Sequence, residues 1–482
     1  MVKVTGSHPK DNKNDPPLHE RDLTKGSIPR NLWWLAWPQI IENILNVVDQ
    51  LVDLVWAGFI SVSTIAGVGI AQSYKQLVMT GRMGLDTAMR AMIARAIGAG
   101  DKASANHAAL QGFTISAFYS FSIALIGFLL AVPLMRILGL GEDIITAGAP
   151  YLKIQFIGTG AMAFRQTSGT ALLASGDAIT PMKATLLTRL THIALTPFLI
   201  FGWLGLPEMG IAGAAAADLL AQSLGAIWNL RTLFLGSSRL KLSLKKYRLD
   251  LPLIARLIRI GAPASVTGME RSIAQLVVVG IAAQFSTLAV AAFSLARRVE
   301  NVAHLGSGGL GRASGVLVAQ NLGANQATRA RQTVKWALFF VFSIGFALAL
   351  LLILTAPLFV TLFSRDPDLV SIGATWIRIQ SLSIVFLAAG QVFGQSFNTA
   401  GYTFAPMIVT LVSMWLIEIP LALLLTGTEH TISVLGQAIT LPILAHLGEF
   451  GIAWAIVFAM IVRALLFIPF YKSDRWLNVK LI

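Results

Sequence analysis

Residues 94–100 read ARAIGAG, and 225 positions later residues 319–325 read AQNLGAN. The shared small-residue steps, Gly98-Ala99 and Gly323-Ala324, are the first sign that the chain is built twice. The same offset links Pro38 with Pro263 and GAPYLKIQ (148–155) with GATWIRIQ (373–380). It also links Gly176, Pro181 and Met182 with Gly401, Pro406 and Met407. Separated motifs at one offset mark an internal duplication, which in membrane chains often frames a central site. Near the end, Gly210-Ile211-Ala212 matches Gly451-Ile452-Ala453 at an offset of 241. The second half therefore carries sixteen extra residues, in the loop that holds TISVLGQAITLPILAHLG (431–448).

The repeated unit is apolar. The 482 residues are 55% hydrophobic and 12% charged, against about 25% charged in an ordinary soluble chain. Mean hydropathy is +0.71. Runs of about 20 apolar residues, the length that crosses a bilayer core, recur six times in each half. No segment alternates as barrel strands do. The expected fold is an all-α integral membrane protein with twelve transmembrane helices in two pseudo-symmetric six-helix lobes. Six is even, so both halves enter the membrane alike and the symmetry axis runs along its normal. The expected boundaries are a polar, disordered cytosolic tail (1–31), an N-lobe (32–235), a basic cytosolic linker (236–258), a C-lobe (259–472) and a cytosolic tail (473–482). Residues 431–448, short and broken by Pro442, read as an interfacial or re-entrant segment rather than a thirteenth span.

The net charge is +14, from 37 Lys and Arg against 23 Asp and Glu. In a soluble chain that excess suggests nucleic-acid binding. Here most basic residues fall in the two tails, the linker (Lys241, Lys245, Lys246, Arg248) and the other loops on the same predicted side. That is the positive-inside pattern, and it places both termini in the cytosol of a multi-pass plasma (inner) membrane protein with no nucleic-acid partner. The absence of Cys excludes disulfides and thiolate metal sites. GSGGLG (306–311) lies in an apolar helix with no Walker lysine, so it is not a nucleotide loop. No cofactor and no catalytic constellation is expected.

Ionisable residues inside the spans are costly and tend to mark ion or substrate paths. Glu42, Asp49 and Asp53 share one face of the first helix through spacings of 7 and 4. Their shifted counterparts, Thr267, Ala274 and Val278, are uncharged, so this acidic face belongs to the N-lobe alone. Lys75, Arg82 and Asp86 share a face of the second helix, and Arg297, Arg298 and Glu300 open the eighth. These cations are expected to pair with the acids of the first or seventh helix. Glu270 and Arg271 form either a cavity element or a structural ion pair. Gln391, Gln395 and Asn398 face one way on the tenth helix and either line a cavity or join helices.

With these residues in view, the chain resembles the multidrug and toxic compound extrusion (MATE) transporters. The likeness rests on Pro38 with QLVDLVWAG (50–58), ARAIGAGDKASA (94–105), LLASGDAITPM (172–182), TPFLIFG (196–202), GIAGAAAAD (210–218), GAPASV (261–266), AQNLGANQ (319–326) and NTAGYTFAPM (398–407). It covers about residues 30–475. The resemblance implies two lobes around a V-shaped cavity. It further implies alternating-access export of amphipathic, often cationic, small molecules against inward H⁺ or Na⁺, by a monomer in the bilayer, with helix 1 bending at Pro38. A lipid-linked saccharide flippase of related architecture is the rival reading, and an intramembrane enzyme a more distant one. The family's coupling aspartate corresponds to Asp53, with Asp49 beside it. The helix-5 pattern of the family is changed here to His192 and Thr196, and a carboxylate stands instead on helix 6 as Asp218. Asp53, Asp218, His192, Thr196 and Asp49 are therefore the expected coupling set, with Na⁺ between Asp53 and Asp218 as the one metal considered. Tyr151 is either a hydroxyl of this site or an interfacial aromatic. The expected cavity set is Tyr151, Glu270, Gln391, Gln395 and Asn398.

Overall fold

The computed structural model of the protein describes residues 22–236, 238–245, 247–427, 431–434, 437–440, 443–479 and 481. Among them the chain makes twelve helical spans. The first six are α1 (Ile28–Gly58), α2 (Val62–Gly98), α3 (Lys102–Arg136), α4 (Glu142–Ser175), α5 (Ile179–Phe201) and α6 (Ile211–Leu235). The second six are α7 (Leu251–Ala283), α8 (Thr287–Gly323), α9 (Ala327–Thr361), α10 in two halves (Pro367–Ser381 and Ile384–Thr399) bent by 45°, α11 (Phe404–Leu425) and α12 (Phe450–Lys472). Between Val412 and Glu418, α11 widens to a π-helix. Pro420 follows two residues later and has no N–H to close an ordinary turn.

The repeat is visible in the local chemistry. Ser61 caps α2 by accepting from Thr64 N–H, and Ser286, 225 residues on, caps α8 by accepting from Ala289 N–H. Gly176 and Gly401 end corresponding helices at φ of 103° and 86°, where only glycine is unstrained. The side chain of Leu23 packs over the first of these glycines and that of Leu481 over the second. Each tail thus folds back on the matching turn of its own lobe.

Outward faces are apolar because lipid surrounds them. Phe118, Phe121 and Leu129 of α3, and Phe346, Leu354 and Leu358 of α9, are exposed. Seven spans, with the bent α10 as an eighth, have an apolar stretch long enough to cross a bilayer, whereas α1, α2, α4 and α8 do not. These four carry Asp49, Asp53, Arg82, Arg90, Arg165 and Glu300, a large part of the bundle's buried charge.

The lobes meet through α2 against α7 and α8, and α1 against α8. Glycine sets how closely. A Cβ on Gly98 would collide with the Gln320 carbonyl, and one on Gly323 with the Arg95 carbonyl. Gly84 and Gly261 touch backbone to backbone, and at the repeat-related place Gly309 meets Ala36. These contacts lie towards the end of the molecule that carries both termini, and they seal it.

Several boundaries differ from those read in the sequence. Residues 1–21 of the expected tail lie outside the described residues, but Leu23 is buried and α1 already begins at Ile28. The linker ends at Asp250, whose side chain caps α7 by accepting from Leu253 N–H. Its carboxyl is held below the usual range, chiefly by the hydrogen bond with His107 at 3.0 Å. Within 431–448, Thr431–Val434 and Gln437–Thr440 pair as an antiparallel hairpin, with Thr431 opposite Thr440. Four residues per strand reach only about 13 Å, too short to cross a bilayer.

Candidate functional site

Beneath the second half of α1, four N-lobe helices bring charged residues, and α4 brings Tyr151 and Gln155, to one buried point. Asp49 Oδ2 accepts from Arg189 Nη1 at 2.6 Å, and Asp49 Oδ1 lies 2.8 Å from His192 Nδ1. The next carboxylate along the same face, Asp53, accepts from Tyr151 Oη through Oδ2 at 2.7 Å. Asp218 accepts from Lys75 Nζ at 2.8 Å and from Gln222 Nε2 at 3.0 Å, with Arg189 Nη1 3.6 Å away. Gln155 joins the two sides, donating to Tyr151 Oη at 3.2 Å and to Asp218 Oδ2 at 3.4 Å. Asp49, Asp53, Asp218, His192 and Tyr151 are all buried.

One carboxylate oxygen in this network stays open. Asp53 Oδ1 faces His192 Nε2 at 3.3 Å, and neither atom has a hydrogen-bond partner. The other carboxylate oxygens of the three aspartates are filled. Imidazole thus stands between two carboxylate oxygens, one at each nitrogen. A neutral imidazole has one N–H and can satisfy only one of them.

The structure brings Asp49, Asp53, His192 and Asp218 together. Thr196 is buried one turn on, but its hydroxyl donates to the His192 carbonyl at 2.6 Å, within its own helix. Pro38 lies inside α1, which runs uninterrupted from Ile28 to Gly58. Arg189 is the member that sequence reading missed. It stands three residues before His192 on α5, and that spacing is the available signal.

The cation pairings differ from those expected. Lys75 binds Asp218 of α6, because that carboxylate rather than one of α1 faces α2. Arg82 binds Asp86 one turn along its own helix at 2.9 Å. Arg297 likewise binds Glu300 at 2.5 Å. Glu270 and Arg271 point apart, as adjacent helical residues must. Arg271 reaches His304 at 2.6 Å and Glu300 at 3.9 Å, whereas both Glu270 oxygens are buried without a hydrogen bond.

A cavity of about 1100 Å³ lies between the lobes. Of the expected cavity residues, Gln395 lines it, while Tyr151, Glu270, Gln391 and Asn398 do not. Gln391 lies 3.3 Å from His304 Nδ1. Asn398 is buried, with its side-chain oxygen unpartnered.

The family model described as MatE matches residues 38–198 and 263–424, two copies that start at the repeat-related prolines. The chain belongs to the MatE family. It is similar to "Probable multidrug resistance protein YoeA" of Bacillus subtilis (strain 168), 24% identical over 416 residues, which span 85% of this chain and 89% of that protein. It is also similar to "Probable multidrug resistance protein NorM" of Thermotoga maritima, 24% identical, with 95% and 96% of the two chains covered. Its fold matches a solved "Outward-facing conformation of a multidrug resistance MATE family transporter of the MOP superfamily" at a TM-score of 0.85 and 20% identity, over 97% of this chain and all of the other. As a MatE member the protein is a multi-pass membrane transporter of the multidrug-efflux kind, not an enzyme.

Proposed function

We propose that this MatE protein is a proton-driven antiporter that exports amphipathic small molecules by alternating access, and that its exchangeable proton sits between Asp53 and His192. The observation that carries this is the pair of unpartnered atoms, Asp53 Oδ1 and His192 Nε2, at 3.3 Å. Two oxygen–nitrogen contacts, Asp49 to Nδ1 and Asp53 to Nε2, need two protons. Neutral imidazole supplies one, so the compact arrangement requires a second. Without it, a lone pair faces a carboxylate oxygen and pushes Asp53 off His192, and α1 away from α5.

Charge counting supports the same reading. Asp49, Asp53 and Asp218 carry three negative charges against Lys75 and Arg189, which leaves one charge for a bound proton to neutralise. Sodium fits less well. The closest ligand group, Asp49, His192 and Asp218, already holds an ammonium 2.8 Å from Asp218 Oδ2 and a guanidinium 2.6 Å from Asp49 Oδ2. A sodium ion there would be set against two cations.

The lobes are joined at the terminal end, and the basic linker and loops lie at that same end. With the termini in the cytosol of the plasma membrane, this is the outward-facing state. The cavity is complete within one chain, which supports a functional monomer. Proton binding between α1 and α5 then biases which end of the lobe pair stays closed.

The test is transport by the purified protein in proteoliposomes under imposed gradients. A proton gradient is expected to drive transport and a sodium gradient at uniform pH is not. Transport driven by sodium alone would overturn the reading.

A further inference from the structure

We propose that the central cavity binds the anionic group of an amphipathic substrate, a carboxylate or phosphate held between Arg90 of one lobe and Arg312 of the other. This deepens the export reading by naming the substrate class, and it departs from the cationic compounds that the family resemblance implies.

The charges on the cavity wall do not cancel. Its acids are Glu42 and Asp86, and its bases are Arg90, Arg165, Arg298 and Arg312, with His304 beside them. Both acids are already engaged. Arg165 lies 4.0 Å from Glu42, which also accepts from Thr185 at 3.2 Å and Gln39 at 3.0 Å. Arg82 binds Asp86 at 2.9 Å, and Thr170 donates to the same oxygen at 3.3 Å. Among the described residues, Arg90, Arg298 and Arg312 have no carboxylate at ion-pair distance.

Arg90 and Arg312 are also aimed. Each crosses the lobe interface and stops at a neutral amide. Arg90 Nη2 donates to Gln395 Oε1 of α10 at 3.2 Å, and Arg312 Nη2 donates to Asn43 Oδ1 of α1. An amide oxygen fixes a guanidinium in place without neutralising it. Arg90 is only 7% exposed, and its Nε has no partner. The two guanidiniums are electrostatic neighbours. Asp86 acts on both, and Glu42 on Arg312, only from beyond ion-pair distance, so two like charges held near each other favour an anion between them. A planar or tetrahedral oxyanion accepts from such forks in pairs.

The same cavity has apolar lining for the rest of an amphiphile. Val47, Leu51, Met79 and Phe359 line it, and Arg298 lies over the Phe363 ring at 5.5 Å. A cationic drug would meet an excess of its own sign.

The test is equilibrium binding to the purified full-length protein in detergent, read by fluorescence anisotropy with no gradient applied. Its probes are carboxyfluorescein as an organic anion, ethidium as a cation and fluorescently labelled phosphatidylglycerol as a lipid-borne phosphate. Binding of carboxyfluorescein over ethidium is expected. Arg90→Gln and Arg312→Gln are each expected to weaken it about tenfold, the effect of losing one charge-assisted contact. Arg90→Lys and Arg312→Lys, which keep the charge but lose the paired fork, should weaken it measurably and by less than the glutamine variants, and wild-type affinity in both lysine variants would count against the site. They decide the matter if the glutamine variants fail to elute as a folded monomer. Labelled phosphatidylglycerol binding in place of carboxyfluorescein, with the same dependence on the two arginines, would support the anionic site and assign it to a lipid headgroup. Tighter binding of ethidium than of both anions would overturn the proposal, as would wild-type anion affinity in both glutamine variants. The assay needs no coupling ion, so its failure leaves the proton reading standing, and failure of the gradient experiment leaves this one standing.

Discussion

The two lobes place their buried charges at related positions and use them differently. Tyr151 and Gln155 in the N-lobe correspond by the offset of 225 to Trp376 and Gln380 in the C-lobe. Gln155 reaches Asp218, the partner of Lys75, whereas Gln380 donates to Glu300 at 3.0 Å while accepting from Trp376 Nε1 at 3.1 Å. Lys75 and Glu300 also correspond, so the sign is reversed at this position of the repeat. Around Glu300 stand Arg297, Arg271 and His304, with Glu270, Glu418 and Arg463 close by. Three glutamates and three arginines cancel there. Three aspartates against one lysine and one arginine do not cancel in the N-lobe. Duplication therefore supplied one scaffold twice, and in the proposed reading it is the lobe left one charge short that takes up a proton.

The largest expected effect follows from that asymmetry. Asp53→Asn should abolish proton-driven transport while the protein still inserts and folds, because an amide cannot exchange the proton. Glu300→Gln should instead lower stability by about 3 kcal/mol, the cost of leaving buried guanidiniums unpaired. The transport that remains in that variant should still respond to a proton gradient. Equal loss of coupling in both variants would break the contrast between the lobes.

A second comparison probes where the lobes are alike. Gly98→Ala and Gly323→Ala each put a methyl group into the facing backbone, and each should destabilise the closed terminal end by about 1–3 kcal/mol. Cross-linking across the α2–α8 contact, or protease access to it, would register the change. Similar effects from both substitutions are expected from the symmetry of the seal.

The smallest effect lies at the helix starts. Asp101 caps α3 by accepting from Ser104 N–H, whereas the corresponding Gln326 makes no side-chain cap on α9. Asp101→Ala should cost about 1 kcal/mol and Gln326→Ala nearly nothing, as read by thermal unfolding. The hydrogen bond from the Ser104 hydroxyl, with that from its N–H, holds the Asp101 carboxyl below its usual range. Its contribution is therefore present above the unfolded carboxylate's pKa and is lost as pH falls through the lowered folded value.

The fold was legible because its signals are local or periodic. Apolar runs long enough for a bilayer, the offset of 225 and the basic bias of one side each constrain the architecture without knowledge of any contact. The acids Asp49, Asp53 and Asp218, with His192, were legible because charge stands out in apolar helices. Their partners were not, since spacing shows which face a residue occupies but not which helix lies opposite. Lys75 therefore found Asp218 on α6 rather than an acid of α1. Thr196 shows the limit from the other side, because a hydroxyl on the expected helix satisfied itself one turn back. The crossing of Arg90 and Arg312 depends on how closely glycine lets the lobes approach, which no single segment encodes.

The central claim is that His192 and Asp53 share the exchangeable proton, and nitrogen NMR of labelled His192 in the intact protein tests it most directly. The account predicts an imidazole protonated on both nitrogens at low pH, or fixed in one tautomer against a protonated Asp53. It further predicts that this signal changes in the same pH interval in which transport changes, and that the change is absent in Asp53→Asn. An imidazole signal that stays constant across the pH range in which transport switches on and off would contradict it.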